Sequence, residues 1–163
     1  MEVLPDIAAK VLDWPKAQQL CSAWKNAGQT VVFTNGCFDI LHYGHLHYLA
    51  QARDLGDRLI VGMNAASSVR RLKGPHRPIN DEITRTMLMA SLAFVDAVVL
   101  FEEDTPLALI ELLVPDILVK GGDWRPDQIV GSEVVLEHGG EVLSLPFIEG
   151  YSTTAIEEKI RSW

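Results

Sequence analysis

Residues 30–45 read T-V-V-F-T-N-G-C-F-D-I-L-H-Y-G-H. The first four are β-branched or aromatic and predict a strand over 30–33. Asn35-Gly36 ends it in a turn. From His45 the period changes: Leu46, Leu49 and Ala50 fall at i, i+3 and i+4, which predicts a helix that Gly56 stops. The same switch of period recurs downstream. Strands are expected over 58–63, 97–101, 117–120 and 141–145. Helices are expected over 81–94, with acids in the first turn, from Pro106 to 113, over 128–138 ahead of Gly139-Gly140, and from a cap at Ser152 or Thr153 to about 161. A further helix spans 15–26, and residues 1–14 read as a loose lead-in.

Continuous apolar strands alternating with helices argue for a parallel sheet covered on both faces. The expected architecture is a Rossmann-like three-layer α/β/α fold with a five-stranded parallel sheet. It forms a single domain over 1–163, with residues 1–28 as lead-in and helix. No repeat, linker or low-complexity tract interrupts it. Ligands in such sheets bind at the carboxyl ends of the strands.

The chain has 163 residues, 48% apolar and 22% charged, with a formal net charge of −8. That charge disfavours nucleic acid and anionic membranes as partners. An anionic ligand would therefore need a local basic cluster. Two cysteines, Cys21 and Cys37, make no disulfide framework. The start MEVLPDIAAK lacks a charged-then-apolar leader, and the most apolar stretch, 92–101, is short and holds Asp96. A cytoplasmic protein is expected.

Polar residues gather just after the strands. Gly36 allows a bend and a close approach, so the following amides can turn toward phosphate oxygens. His42 and His45 stand three apart at a helix start, on one face, and Gly44 between them leaves room for a ligand. A helix N-terminus attracts anions. Two imidazoles there can donate to a triphosphate and stabilise departing pyrophosphate. The competing reading is a zinc pair, but zinc helices space histidines at i, i+4 around a Glu, which is absent.

In Arg70-Arg71-Leu72-Lys73-Gly74-Pro75-His76-Arg77, four of the eight residues are cationic and none is acidic. Lys73, together with Arg85 on the next helix, is the leading candidate for phosphate; Arg70, Arg71 and Arg77 follow. A solvated charged loop is the alternative. Lys120-Gly121-Gly122-Asp123 follows a strand: the glycines let backbone approach a base or ribose, Asp123 can accept ribose hydroxyls, and Lys120 can reach phosphate. The hydroxyls and amides of Ser152-Thr153-Thr154 open a helix and suit phosphate, or simply cap it. Cys37 reads as packing, and His47, His76 and His138 as surface or packing residues. The usual dinucleotide and P-loop fingerprints are missing.

The string GCFDILHYGH resembles the GxFDxxHxGH signature of the nucleotidyltransferase superfamily that includes the cytidylyltransferases and phosphopantetheine adenylyltransferase. Its H-x-G-H is similar to the H-I-G-H of class I tRNA synthetases, and the STT element looks like the superfamily's ISTTxI. From about Gly28 to Ile160 the runs TNGCFDILHYGH, RLKG with RPIN, VDAVVLFEEDTP, PDILVKGGDW and GGEVLSLPF are similar to one group, the D-glycero-β-D-manno-heptose 1-phosphate adenylyltransferases.

The resemblance implies transfer of AMP from ATP to a heptose 1-phosphate, giving ADP-heptose and pyrophosphate for lipopolysaccharide core synthesis. It implies a stand-alone form with separate kinase and phosphatase partners, since no kinase-sized segment is present. His42, His45 and Lys73 would be catalytic. Asn35, Gly36, Cys37, Phe38, Gly44, Lys120, Gly121, Gly122, Asp123, Ser152, Thr153 and Thr154 would bind nucleotide. Asp39, Arg77 and Arg85 would serve the sugar phosphate, with Asp39 also organising the site. Mg²⁺ would be held through the ATP phosphates, with no protein metal ligands, and related enzymes are commonly homodimers or larger. The alternative is a glycerol-3-phosphate cytidylyltransferase or another HxGH nucleotidyltransferase. Glycerol-3-phosphate cytidylyltransferases carry an Arg where this chain has Phe147, which counts against the cytidylyl reading.

Overall fold

The structure, a computed structural model, describes residues 2–163. Its sheet is parallel throughout and has six strands, in the order β1-β4-β3-β2-β5-β6. These are β1 (Val11–Leu12), β2 (Val31–Gly36), β3 (Arg58–Asn64), β4 (Ala97–Phe101), β5 (Ile117–Gly121) and β6 (Glu141–Leu145). The helices are α1 (Val3–Ala8), α2 (Trp14–Asn26), α3 (Tyr43–Arg53), α4 (Ala66–Lys73), α5 (Glu82–Ala90), α6 (Leu107–Leu113), α7 (Ser132–Glu137) and α8 (Thr153–Arg161).

The sixth strand corrects the expected five. It is β1, inside the lead-in, where Val11 and Leu12 pair with Val98 and Val99 of β4. Two residues are too few for any periodicity to show. The pairing is anchored locally: Val98 N donates to Lys10 O at 2.8 Å, and Trp14 Nε1 to Leu100 O at 2.8 Å.

Successive strand residues point to opposite faces, and two cores result. Val31, Phe33, Ile60, Val99 and Leu118 face α2, α6 and α7. Val32, Leu59, Val61, Val98 and Val119 face α3 and α5. Helix starts follow the side-chain caps: Asp13 accepts from Lys16 N at 2.9 Å, and Asp81 from Thr84 N at 2.7 Å.

The expected helix over 128–138 is shorter. Gly131 adopts φ +86°, and its missing side chain leaves space for Ile110; a Cβ there would lie 2.6 Å from Ile110 Cδ1. The chain therefore forms a 3₁₀ turn, Pro126–Gln128, and only then α7. Conversely, half of the basic window is helix α4. Its apolar side is narrow: Val69 and Ser68 are its only buried residues among those described.

From β2 the chain steps to β3 and β4 on one side, then returns to β5 and β6 on the other. The strand order reverses between β2 and β5, and their carboxyl ends open the crevice where ligands of such sheets bind.

Candidate active site

A cavity of about 430 Å³ sits at that reversal. Its floor is Asn35–Phe38 at the end of β2 and Lys120-Gly121 at the end of β5. Tyr48 of α3 ties the two strands together: its hydroxyl pairs with the Thr34 hydroxyl and donates to Val119 O at 3.3 Å. Burial pushes the Tyr48 phenol up to about 12, so it stays protonated.

The turn after β2 is held in an unusual shape. Phe38 has φ +45°, a left-handed conformation that side chains rarely adopt. Its ring folds back over Gly36, where a Cβ would meet the ring at 2.9 Å. Such strain persists only where the surroundings fix it. Here Arg85 of α5 does so. Its Nε and Nη2 donate to Cys37 O at 3.0 and 2.7 Å, and Nη2 also donates to Asn64 O at 2.5 Å. Arg85 is only 1% exposed. Its Nε and Nη2 therefore brace the loop from beneath, while Nη1 is buried without a partner.

Asp39 and Arg77 are likewise committed within the protein. Asp39 accepts from the amides of Ile79 and Asn80 and from Arg77 Nη1 at 2.9 Å. Burial raises its pKa, but these donors outweigh it and hold the carboxyl below the usual range. Arg77 Nη2 pairs with Glu157 of α8 at 2.5 Å. With two carboxylates on one guanidinium, these groups tie the loop after β2 to α8. Arg71 is spent too: it donates to Asp104 Oδ1 at 2.9 Å and to the Glu102 carbonyl.

The two histidines do converge. His42 is the N-cap of α3, His45 lies on its first turn, and their rings stack at 3.8 Å with 19° between planes. His45 lines the cavity. Burial first, then the nearby His42 and Lys73, pushes its pKa down to about 4; the Ile40 carbonyl offsets only part of this. Burial also lowers His42. Neither Nδ1 has a hydrogen-bond partner meeting geometric criteria, although both are buried. Buried polar nitrogens left unpaired are uncommon, and His47 Nδ1 and Arg85 Nη1 are in the same position. The space at Gly44 is already filled: a Cβ there would meet Tyr151 Cβ at 3.0 Å and His42 Nδ1 at 3.1 Å. Gly44 thus lets the histidine pair and Tyr151 pack, rather than leaving room for a ligand.

Lys73, at the end of α4, and Lys120 also line the cavity. Burial lowers the Lys120 pKa, and the neighbouring Cys37 opposes the shift. A half-buried ammonium with no carboxylate partner among the described residues suits an anion. Gly121 lies under Phe147, whose ring would be 2.5 Å from a Cβ at that position. Gly122 has φ +112° and is tied to Leu145 O at 2.8 Å. Asp123 is exposed beside the cavity, not among the residues lining it. Ser152 caps α8, accepting from Ala155 N at 3.0 Å, and Ser152, Thr153 and Thr154 lie outside the cavity lining.

The sequence reading missed Asn64, Asp104, Thr105, Trp124, Gln128 and Phe147 as lining residues. Asn64 and Asp104-Thr105 sit at or just beyond the carboxyl ends of β3 and β4. The strand-end rule alone would have found them.

A parallel sheet with this order reversal, and stacked imidazoles with two lysines at the reversal, define a nucleotide-handling α/β domain of the phosphoryl-transferring kind. A family model described as "Cytidylyltransferase-like" matches residues 33–159, and the chain belongs to that nucleotidyltransferase family. It is 55% identical over 152 residues to "Bifunctional protein HldE" of Mesorhizobium japonicum, covering 93% of this chain and 31% of that protein. It is 52% identical over 158 residues to the protein of the same name from Geotalea uraniireducens, covering 97% of this chain and 32% of that one. The chain thus spans about a third of the length of these curated relatives.

The crystal structure of the lipopolysaccharide core biosynthesis protein from Thermoplasma volcanium superposes with TM-score 0.60 at 31% identity, over 77% of this chain and 100% of that one. A pantoate-beta-alanine ligase from Francisella tularensis shares the fold, with TM-score 0.58 at 15% identity, over 93% of this chain and 76% of that one.

Proposed function

We propose that this domain transfers AMP from ATP to D-glycero-β-D-manno-heptose 1-phosphate, giving ADP-heptose and pyrophosphate in the cytosol for lipopolysaccharide core synthesis. The observation that carries the reading is one cavity at the β2–β5 reversal that collects His45, with His42 stacked on it, Lys73 and Lys120. The likeness to relatives named for lipopolysaccharide core biosynthesis and HldE supports the sugar acceptor.

In this mechanism an acceptor phosphate oxygen, already anionic, attacks the α-phosphorus of ATP in line. An O–P bond forms, the bond from the α-phosphorus to the bridging oxygen breaks, and pyrophosphate carries away the electron pair. No general base is needed. Catalysis is positioning plus charge stabilisation. Neutral His42 and His45 donate to the triphosphate, the lysines oppose its growing charge, and the Phe38 amide is aimed by its left-handed turn.

Mg²⁺, when bound with ATP, screens the triphosphate. No group of three or more His, Cys, Asp or Glu side chains stands together among the described residues. Such a cation would be held through the phosphate oxygens and water, since Mg²⁺ needs few protein ligands.

The test is a pyrophosphate-release screen crossing ATP and CTP with heptose 1-phosphate and glycerol 3-phosphate. Turnover is expected for the ATP and heptose pair. Preference for CTP with glycerol 3-phosphate would replace the reading with a cytidylyltransferase.

A further inference from the structure

Beyond the lysines and histidines, the cavity extends between the loop after β4 and the 3₁₀ turn before α7. Asp104 and Thr105 stand on one side and Gln128 on the other. None was named as a site residue from the sequence. All three are exposed, and Asp104 Oδ2 has no partner among the described residues.

The loop that carries Asp104 is pinned from α4. Ser68 donates to Glu103 O at 2.8 Å, while Arg71 donates to the Glu102 carbonyl and to Asp104 Oδ1. The helix that ends in Lys73 therefore also sets the position of Asp104. A flexible surface acid would not need three bonds to its loop. A carboxylate that must meet a ligand in a fixed geometry gains from them, because ordering costs are met before binding.

We infer that Asp104, Thr105 and Gln128 form the recognition site for the hydroxyl-bearing end of a phosphorylated polyhydroxy acceptor, whose phosphate lies toward Lys73. The chemistry matches. A carboxylate is acceptor-only and can take two hydroxyl protons, whereas a hydroxyl and a carboxamide both give and accept. Leu72 and Pro106, which also line this part, offer apolar surface to the C–H face of a sugar. The site divides by charge: cations collect the phosphates, and one acid takes the neutral polyol. Arg71 acts as a positioning residue for Asp104.

This inference rests on the proposed reaction, and kinetics separate the two. Asp104→Ala should raise the acceptor KM about tenfold, the worth of one to two lost hydrogen bonds. The KM for ATP should stay within about twofold and kcat within about threefold of wild type. Gln128→Ala should move the acceptor KM in the same direction. Asp104 is 61% exposed at its side chain, so the variant should melt like the wild type. Turnover with an unchanged acceptor KM in both variants would overturn the inference and leave the reaction standing. No turnover by the wild type with any phosphorylated polyol would remove the reaction and the inference together.

Discussion

At position 85 a guanidinium lies beneath the site rather than in it. Three donor–acceptor contacts to two carbonyls use the planar fork of arginine, which lysine cannot reproduce. Arg85→Lys keeps the charge but leaves a buried carbonyl short of donors. It should lower stability by about 2 kcal/mol in urea unfolding and reduce kcat as the Phe38 turn relaxes. A phosphate ligand would behave in the opposite way, with stability kept and only substrate affinity lost. His45 gives the second expectation at this scale. Its folded pKa, about 4, lies below the ordinary 6.5, so the folded state binds fewer protons. Its contribution to stability is complete above pH 6.5 and is lost as pH falls toward 4. His45→Gln should flatten that part of the acid-stability curve. In the wild type, triphosphate should raise the imidazole pKa, read by NMR titration. The spacing of the two histidines was legible because helical geometry alone puts i and i+3 together. The fates of Arg77, Arg85 and Asp39 were not, because each is decided by partners 21 to 80 positions away in the chain.

At the scale of elements, strands were easier to read than helices. The strands over 97–101 and 141–145 were read with the bounds the structure shows, because a β-rich run with abrupt polar ends fixes its own limits. The helix over 128–138 failed at Gly131, and the reason is tertiary: α6 presses Ile110 onto that backbone. Gly131→Ala should cost about 2 kcal/mol by thermal or urea melt, combining left-handed strain with a clash against a fully buried side chain. Gly139→Ala, with φ +79° but open space around it, should cost about half as much. Equal losses would mean that the clash contributes nothing. Helix α4 was hidden for a different reason: it is only eight residues long, and its two arginines and its lysine read first as a charged loop. Its three bonds to the loop after β4 now explain why the basic window is helical.

For the whole molecule, the parallel three-layer arrangement followed from alternation alone, and so did the end of the sheet where the site lies. The strand order did not. Nothing in the apolar runs says that β4 and β5 lie on opposite sides of the β3–β2 pair, yet that reversal opens the cavity. The edge strand β1 was equally hidden, because a two-residue strand exists only through its partner β4. The cavity gathers residues from the ends of five strands and their following loops. Motif reading found those on β2 and β5, where glycine marks the backbone, and passed over those on β3 and β4, where nothing unusual does.

Helix α8 contains no buried residue, and its charged tether is Glu157 on Arg77. Glu157→Gln would remove that tether, so the tail of the variant should peel away while the sheet stays intact. A protease would then nick the stretch between β6 and α8, shedding a peptide that carries Ser152–Thr154. The purified variant would therefore look folded by circular dichroism and yet be mixed in length, and the intact mass, rather than the melting curve, would reveal which molecules had been trimmed.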